Sequence, residues 1–179
     1  MKILAICGSL RKESFNKGAL RAAIEVAPKG IEIETFDIGV LPLSNQDFEK
    51  KMPKVALDFK EKIKNADAIL FVTPEYNYSI SGVLKNAIDW SSRPYGDNSW
   101  EAKPAAIMGV GVGPKGTVRA QIHLRQMFIF LNIFALNRPE VMIDATGKFD
   151  ENGNLTDEET KDRISELLKA LAAWTQKLS

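Results

Sequence analysis

Ile3-Leu4-Ala5-Ile6-Cys7-Gly8-Ser9-Leu10-Arg11-Lys12-Glu13-Ser14-Phe15-Asn16 opens as an apolar run and turns at Gly8-Ser9 into hydroxyls, cations and an amide. A short continuous run of this kind predicts a strand buried on both faces, the signature of a parallel sheet. A helical pattern follows, with Leu20, Ile24 and Ala27 on one face before Pro28-Lys29-Gly30 closes it. The unit is strand, polar loop, helix. It recurs along the chain.

Ile31, Ile33 and Thr35 alternate with Glu32 and Glu34, which predicts a half-exposed edge strand. Residues 53–65 carry Val55, Phe59 and Ile63 at helical spacing. Ala68-Ile69-Leu70-Phe71-Val72 and Ala105-Ala106-Ile107-Met108-Gly109-Val110 read as two more buried strands. Val83–Ile88, with Ser79 or Ser81 as N-cap, and residues 117–132 read as the helices after them. A last strand is expected at Glu140–Ile143. A final helix is expected behind a Thr156/Glu159 capping box, with Ile164, Leu167, Leu168 and Leu171 as its buried stripe. Alternating strands and helices imply one α/β domain over 1–179, a doubly wound five-stranded parallel sheet. The edge-like second strand favours the flavodoxin-like order 2-1-3-4-5. Residues 144–155 read as a polar surface excursion.

The 179 residues suffice for a sizeable core, and 45% hydrophobic with 26% charged residues is ordinary for a globular domain. A net charge of +1 gives no electrostatic basis for nucleic acid or an anionic membrane. The first apolar run is too short for a leader or a span. With Cys7 as the single cysteine, a reducing, cytoplasmic location is expected.

In an open α/β sheet, ligands bind beyond the carboxyl ends of the strands. Three loops leave those ends. The first, Gly8–Asn16, offers Ser9, Arg11, Ser14 and Asn16 just before a helix N-terminus, a combination suited to phosphate. The same Ser and Asn would also serve an ordinary helix-capping turn. The second, Thr73-Pro74-Glu75-Tyr76-Asn77-Tyr78-Ser79, can wall a flat ring, or its tyrosines can simply pack on the surface. The third, Gly109–Gly116, matches G-x-G-x-x-G at 111–116. It follows an internal strand, and Pro114 removes a donor that a pyrophosphate would need. Glycines that let the backbone approach a ring edge explain it better. No P-loop and no G-x-S-x-G elbow is present. His123 is the only histidine, so no metal site is expected; a helix-surface or interface role suits it. Cys7 reads as inert core. The run Met127–Phe134 is apolar on every side, which favours a homo-oligomer.

Taken together, the chain resembles the NADPH-dependent FMN reductase family, and within it the chromate/quinone reductase branch. The resemblance spans nearly the whole chain. It rests on Gly8-Ser9-Leu10-Arg11-Lys12-x-Ser14-x-Asn16 and on Pro74-Glu75-Tyr76-Asn77-Tyr78-Ser79-x-x-Gly82-Val83-Leu84-Lys85-Asn86-Ala87-x-Asp89-Trp90. Arg119-Ala120-Gln121-x-x-Leu124-Arg125 and Asn137-x-Pro139-Glu140 complete it. The resemblance implies a flavodoxin-like fold with non-covalent FMN and NADPH or NADH as co-substrate. It implies that Ser9, Arg11, Ser14, Phe15 and Asn16 hold the FMN phosphate end. Pro74, Glu75, Tyr76 and Asn77 would line the ring, and Gly111 and Gly113 its other edge. It also implies a homodimer or homotetramer with flavin sites near the subunit interface.

Two positions depart from the family pattern. Ser81 replaces the usual proline, which predicts a looser entry to the helix. Gly111 replaces a frequent serine, which predicts a flavin hydrogen bond lost or taken over by backbone. The expected activity is ping-pong transfer from NAD(P)H to small acceptors: quinones, free flavin, azo compounds or metal oxyanions such as chromate. No catalytic side chain is expected, because the flavin carries the chemistry. A flavodoxin-like electron carrier and a redox-inactive nucleotide-binding module are the alternatives.

Overall fold

The computed structural model describes residues 1–179. The strands are β1 (Lys2–Cys7), β2 (Glu32–Thr35), β3 (Ala68–Val72), β4 (Pro104–Gly111), β5 (Phe134–Ala135) and β6 (Val141–Asp144). The main helices are α1 (Phe15–Glu25), α2 (Lys54–Asn65), α3 (Gly82–Ser91), α4 (Val118–Leu131) and α5 (Glu158–Leu178). All pairings are parallel, and β2-β1-β3-β4 run side by side. The fold is therefore the doubly wound α/β architecture expected, with β2 at the edge and only partly buried.

The fifth position differs from expectation. It is shared by two strands, making six: β5 pairs with the start of β4 at Pro104 and Ala105, and β6 with its end from Met108 to Gly111. Pro139, which lacks an N–H, lies between them and cannot continue a ladder.

Alternation along the buried strands builds two cores. Leu4, Ile6, Ile69, Phe71, Ala105 and Ile107 face α2, α3 and α4. Ile3, Ala5, Leu70, Val72, Met108 and Val110 face α1 and α5. Each strand thus feeds both layers, as the period of two requires. On α1 the buried side is Ala19, Leu20, Ala22 and Ala23; Ile24, expected inside, is exposed. Ala27 falls beyond the end of the helix, so the expected stripe stops at Leu20.

Two further expectations fail at the carboxyl half. Asp157, not Thr156, caps α5, its carboxylate accepting the Thr160 N–H at 3.0 Å. Thr156 instead donates through its hydroxyl to the Lys148 carbonyl. The 144–155 excursion is no simple surface loop: Ala145 and Leu155 are buried in the core. Phe149 packs on Phe15 with ring centroids 4.8 Å apart, and Arg21 bonds Asn154 and the Gly153 carbonyl.

The Leu84-Lys85-Asn86-Ala87-Ile88-Asp89-Trp90 block is structural. Asn86 Nδ2 and Trp90 Nε1 both donate to the Pro42 carbonyl, and Asn86 Oδ1 accepts the Ser44 N–H at 2.7 Å. These bonds tie the long connection after β2 against α3.

Candidate active site

The three loops meet in an open crevice of about 160 Å³ beyond β1, β3 and β4. Ser9, Arg11, Ser14, Phe15, Asn16, Pro74, Glu75, Tyr76 and Gly111 line it, together with Val110 and Val112. Asn77 and Gly113 stand outside this lining. A larger cavity of about 480 Å³ lies at the opposite, amino-terminal end of the sheet, among Met1, Asp67, Lys103 and Gln176. The strand-end rule favours the smaller crevice.

In the first loop, Ser14 takes the N-cap position of α1 in an extended conformation, yet its hydroxyl caps nothing. No acidic side chain stands in the first turn of α1. The opening N–H groups of that helix, with the buried Ser9 and Ser14 beside them, form an anion cradle that the chain itself leaves unneutralised. Arg11 is exposed at the rim, one guanidinium nitrogen on the Glu13 carbonyl at 3.1 Å. Asn16 is committed elsewhere: its amide bonds both the N–H and the carbonyl of Val110, at 2.9 Å each.

The second loop is a tight two-residue hairpin. Tyr76 and Ser79 exchange backbone bonds of 2.9 and 3.0 Å, with Asn77 and Tyr78 at φ of 51° and 67° between them. Two consecutive positive φ values give the type I′ geometry. Glu75, which lines the crevice, turns its carboxylate to α4. Its Oε2 accepts the N–H groups of Arg119 and Ala120 at 2.9 and 3.1 Å, and its Oε1 the Arg119 Nη1 at 3.2 Å. Thr117, at the N-cap, makes no side-chain cap bond, so Glu75 caps α4 across space. A pyrophosphate therefore has no vacant helix end at 111–116. The geometry agrees with the sequence argument against a dinucleotide fingerprint there.

The third loop is tight for its own sake. A Cβ on Gly109 would lie 2.3 Å from the Thr73 carbonyl, and one on Gly111 would lie 2.6 Å from the Gly116 carbonyl. Asp144, at the end of β6, accepts the Gly113 N–H at 2.9 Å and both the N–H and hydroxyl of Thr146. The Thr146 N–H, the Thr146 hydroxyl and the Gly113 N–H hold its carboxyl below the usual carboxylate range.

Several contacts of the site carried only faint sequence signals. The Asp144-Ala145-Thr146 spacing is that of an Asx-turn, and it alone could have indicated Asp144. Ser81 caps α3 by accepting the Leu84 N–H, and its hydroxyl donates to the Gly8 carbonyl at 2.6 Å. The expected loosening at Ser81 is thus reversed: this serine joins the first loop to α3, which a proline could not do. His123 Nδ1 lies 3.0 Å from the Ser79 hydroxyl, a partner invisible in the sequence. Cys7 is only partly buried and faces a neighbouring crevice, and burial pushes its thiol up.

FMN fits what these residues offer. The uncapped α1 terminus with two hydroxyls suits its phosphate, and the walls formed by Pro74, Tyr76, Val110 and Val112 suit a flat ring. No group of metal-ligating side chains is present, and no helix is long and apolar enough to cross a membrane.

Comparison with known proteins agrees. The family model described as NADPH-dependent FMN reductase matches residues 1–148. An NAD(P)H-dependent FMN reductase of Pseudomonas aeruginosa is 49% identical over 180 residues, covering 99% of this chain and 97% of the relative. A 2-hydroxy-1,4-benzoquinone reductase of Burkholderia sp is 45% identical, covering 98% and 97%. The solved structure of a flavoenzyme NAD(P)H:(acceptor) oxidoreductase from Paracoccus denitrificans superposes with a TM-score of 0.90 at 36% identity, covering 98% and 97%. The uncapped end of α1, the crevice beside it and these matches lead to one conclusion: the chain belongs to the NADPH-dependent FMN reductase family.

Proposed function

We propose that the chain is an FMN-dependent oxidoreductase that takes electrons from NAD(P)H and reduces quinones, with free flavin, azo compounds and chromate as further candidate acceptors. One observation carries this reading. Of the two helix N-termini beside the crevice, α1 is uncapped and α4 is closed by Glu75. A phosphate therefore goes to Ser9, Ser14 and the N–H groups of α1, with Arg11 adding charge from the rim. The ring then falls between Pro74–Asn77 and Val110–Gly113, with Asn77 on the ring-lining side and Gly113 at its other edge, although neither lines the crevice as it stands.

When bound, FMN supplies two-electron chemistry between the nicotinamide donor and the acceptor. The chain's own residues bind and orient. Glu75 has both carboxylate oxygens engaged on α4, so it is not a proton donor to substrate. Protons for a reduced quinone come from solvent, which the open crevice admits. The same openness lets donor and acceptor visit one face in turn. Initial rates with NADPH and 1,4-benzoquinone should give parallel double-reciprocal lines; converging lines would reject the shared face.

The exposed side of α4 carries Ile122, Ile129 and Phe130, each more than half exposed. A second copy of this chain is the occupant we assign to it. Support comes from the apolar Met127–Phe130 crevice, which Lys85, Asp89 and Arg93 border with both signs of charge, a pattern compatible with a twofold axis. A dimer or a tetramer built on this face brings the partner close to the Tyr76–Ser79 hairpin. A reducing, cytoplasmic setting suits both the activity and the lone Cys7 thiol.

A further inference from the structure

We propose that Glu75, Arg119 and His123 are positioning residues: together they clasp the Tyr76–Ser79 hairpin onto α4 and so set the wall against which the flavin ring lies. The ring's place is taken from the proposed function; the clasp itself is independent of it. Between the buried Pro74 and Ile80 the tip of the hairpin stands in solvent. Tyr76 and Tyr78 are 46% and 65% exposed, so core packing does not decide their direction. Two residues other than glycine at positive φ cost conformational energy that outside contacts must offset.

Those contacts all come from one side of α4. Glu75, at the root of the hairpin, takes the Arg119 and Ala120 N–H groups and the Arg119 guanidinium. The same guanidinium lies 3.9 Å from the centre of the Tyr78 ring, so one side chain grips the root and the tip of the turn. His123, four residues on and hence on the same helix face, meets the Ser79 hydroxyl at 3.0 Å. Root, tip and far arm each have a partner.

The test compares the wild-type chain with Arg119→Ala, Glu75→Ala and the double variant. Amide hydrogen exchange of the protein without FMN reads the clasp directly. FMN titration and the visible circular dichroism of the bound flavin read its effect on the ring. We expect exchange at the Tyr76 and Ser79 amides to quicken about tenfold or more in each single variant, and FMN affinity to fall by a similar factor. The double variant should resemble the more severe single, because the two residues act as one unit. His123→Ala should quicken exchange mainly at Ser79. Wild-type exchange in Arg119→Ala would overturn the clasp. So would a Glu75→Ala variant that loses FMN while exchange at the Tyr76 and Ser79 amides stays at the wild-type rate, since the loss would then not pass through the hairpin. Should Glu75→Ala not fold, Arg119→Ala carries the test alone, because the Glu75 cap on the α4 backbone survives in it. A wild-type chain that binds no FMN would sink the proposed function. The exchange rates would still uphold or overturn the clasp.

Discussion

Asn16 and Val110 pair head to tail, the amide nitrogen of one on the carbonyl of the other and the N–H of Val110 on the amide oxygen, both at 2.9 Å. The two residues are 94 positions apart. Their bonds lock the start of α1 to the end of β4, and therefore the proposed phosphate cradle to the proposed ring wall. Asn16→Ala strands a buried donor and a buried acceptor, each costing roughly 1–3 kcal/mol. Urea unfolding should show a loss of about 2–4 kcal/mol, with weaker FMN binding. A loss below about 1 kcal/mol would mean that the pair is not a buried brace.

Ser81 should rank above both obvious replacements. Ser81→Ala removes a helix cap and a buried bond to the Gly8 carbonyl, together worth roughly 1–3 kcal/mol. Proline suits the observed φ of −67° and stiffens the unfolded chain by about 0.4–1 kcal/mol, but it too loses both bonds. Thermal unfolding should order the three as serine, proline, alanine. A proline variant more stable than the parent would show that the hydroxyl contributes little.

Much of this fold was legible in the sequence because β1, β3 and β4 are continuous apolar runs whose only comfortable place is the middle of a parallel sheet. Edge strand β2 was legible from its glutamates. What could not be read were choices between equivalent local partners. Thr156 and Asp157 are both good caps, and only the position of Lys148 decides between them. Glu75 sits in the motif expected to line the ring, but its carboxylate is drawn to the nearer positive end of α4. The first loop supplied the right residues for the crevice. The two bonds of Asn16 to Val110 were not legible, because a long-range backbone partner leaves no trace in local spacing.

Gly111→Ser tests whether the serine expected here from the resemblance could be accommodated. Its Cβ would meet the Gly116 carbonyl at 2.6 Å, so the loop must shift. The expected cost is about 1–3 kcal/mol, with no gain in FMN affinity. Tighter FMN binding at unchanged stability would contradict the tight-loop reading.

Asp144 and Asp150 give the acid limb of stability its direction. The Thr146 N–H, the Thr146 hydroxyl and the Gly113 N–H hold Asp144 below its ordinary range, and Asn154, through its N–H and then its side chain, does the same for Asp150. A folded value below the unfolded one means stability that is complete above about pH 3.9. It is lost as pH falls through the folded value. Asp144→Asn should flatten the fall in urea midpoint between neutral pH and the acid limb. An unchanged acid limb in that variant would remove Asp144 from the account.

Ile129→Glu places a charge on the exposed apolar side of α4, where Ile129 is 83% exposed. Sedimentation velocity should show the parent as a dimer or larger and the variant shifted toward monomer, with an unfolding midpoint that no longer rises with protein concentration. A parent that sediments as a monomer would remove the second copy from this face.

The most direct measurement is the visible spectrum of the chain reconstituted with FMN, recorded before and after NADPH is added without oxygen. The account predicts a bound flavin whose absorbance bleaches within turnover time and returns when a quinone is added. Flavin that binds but stays oxidised would leave an electron carrier rather than a reductase. A chain that retains no flavin would contradict the assignment of the α1 cradle and the ring wall together.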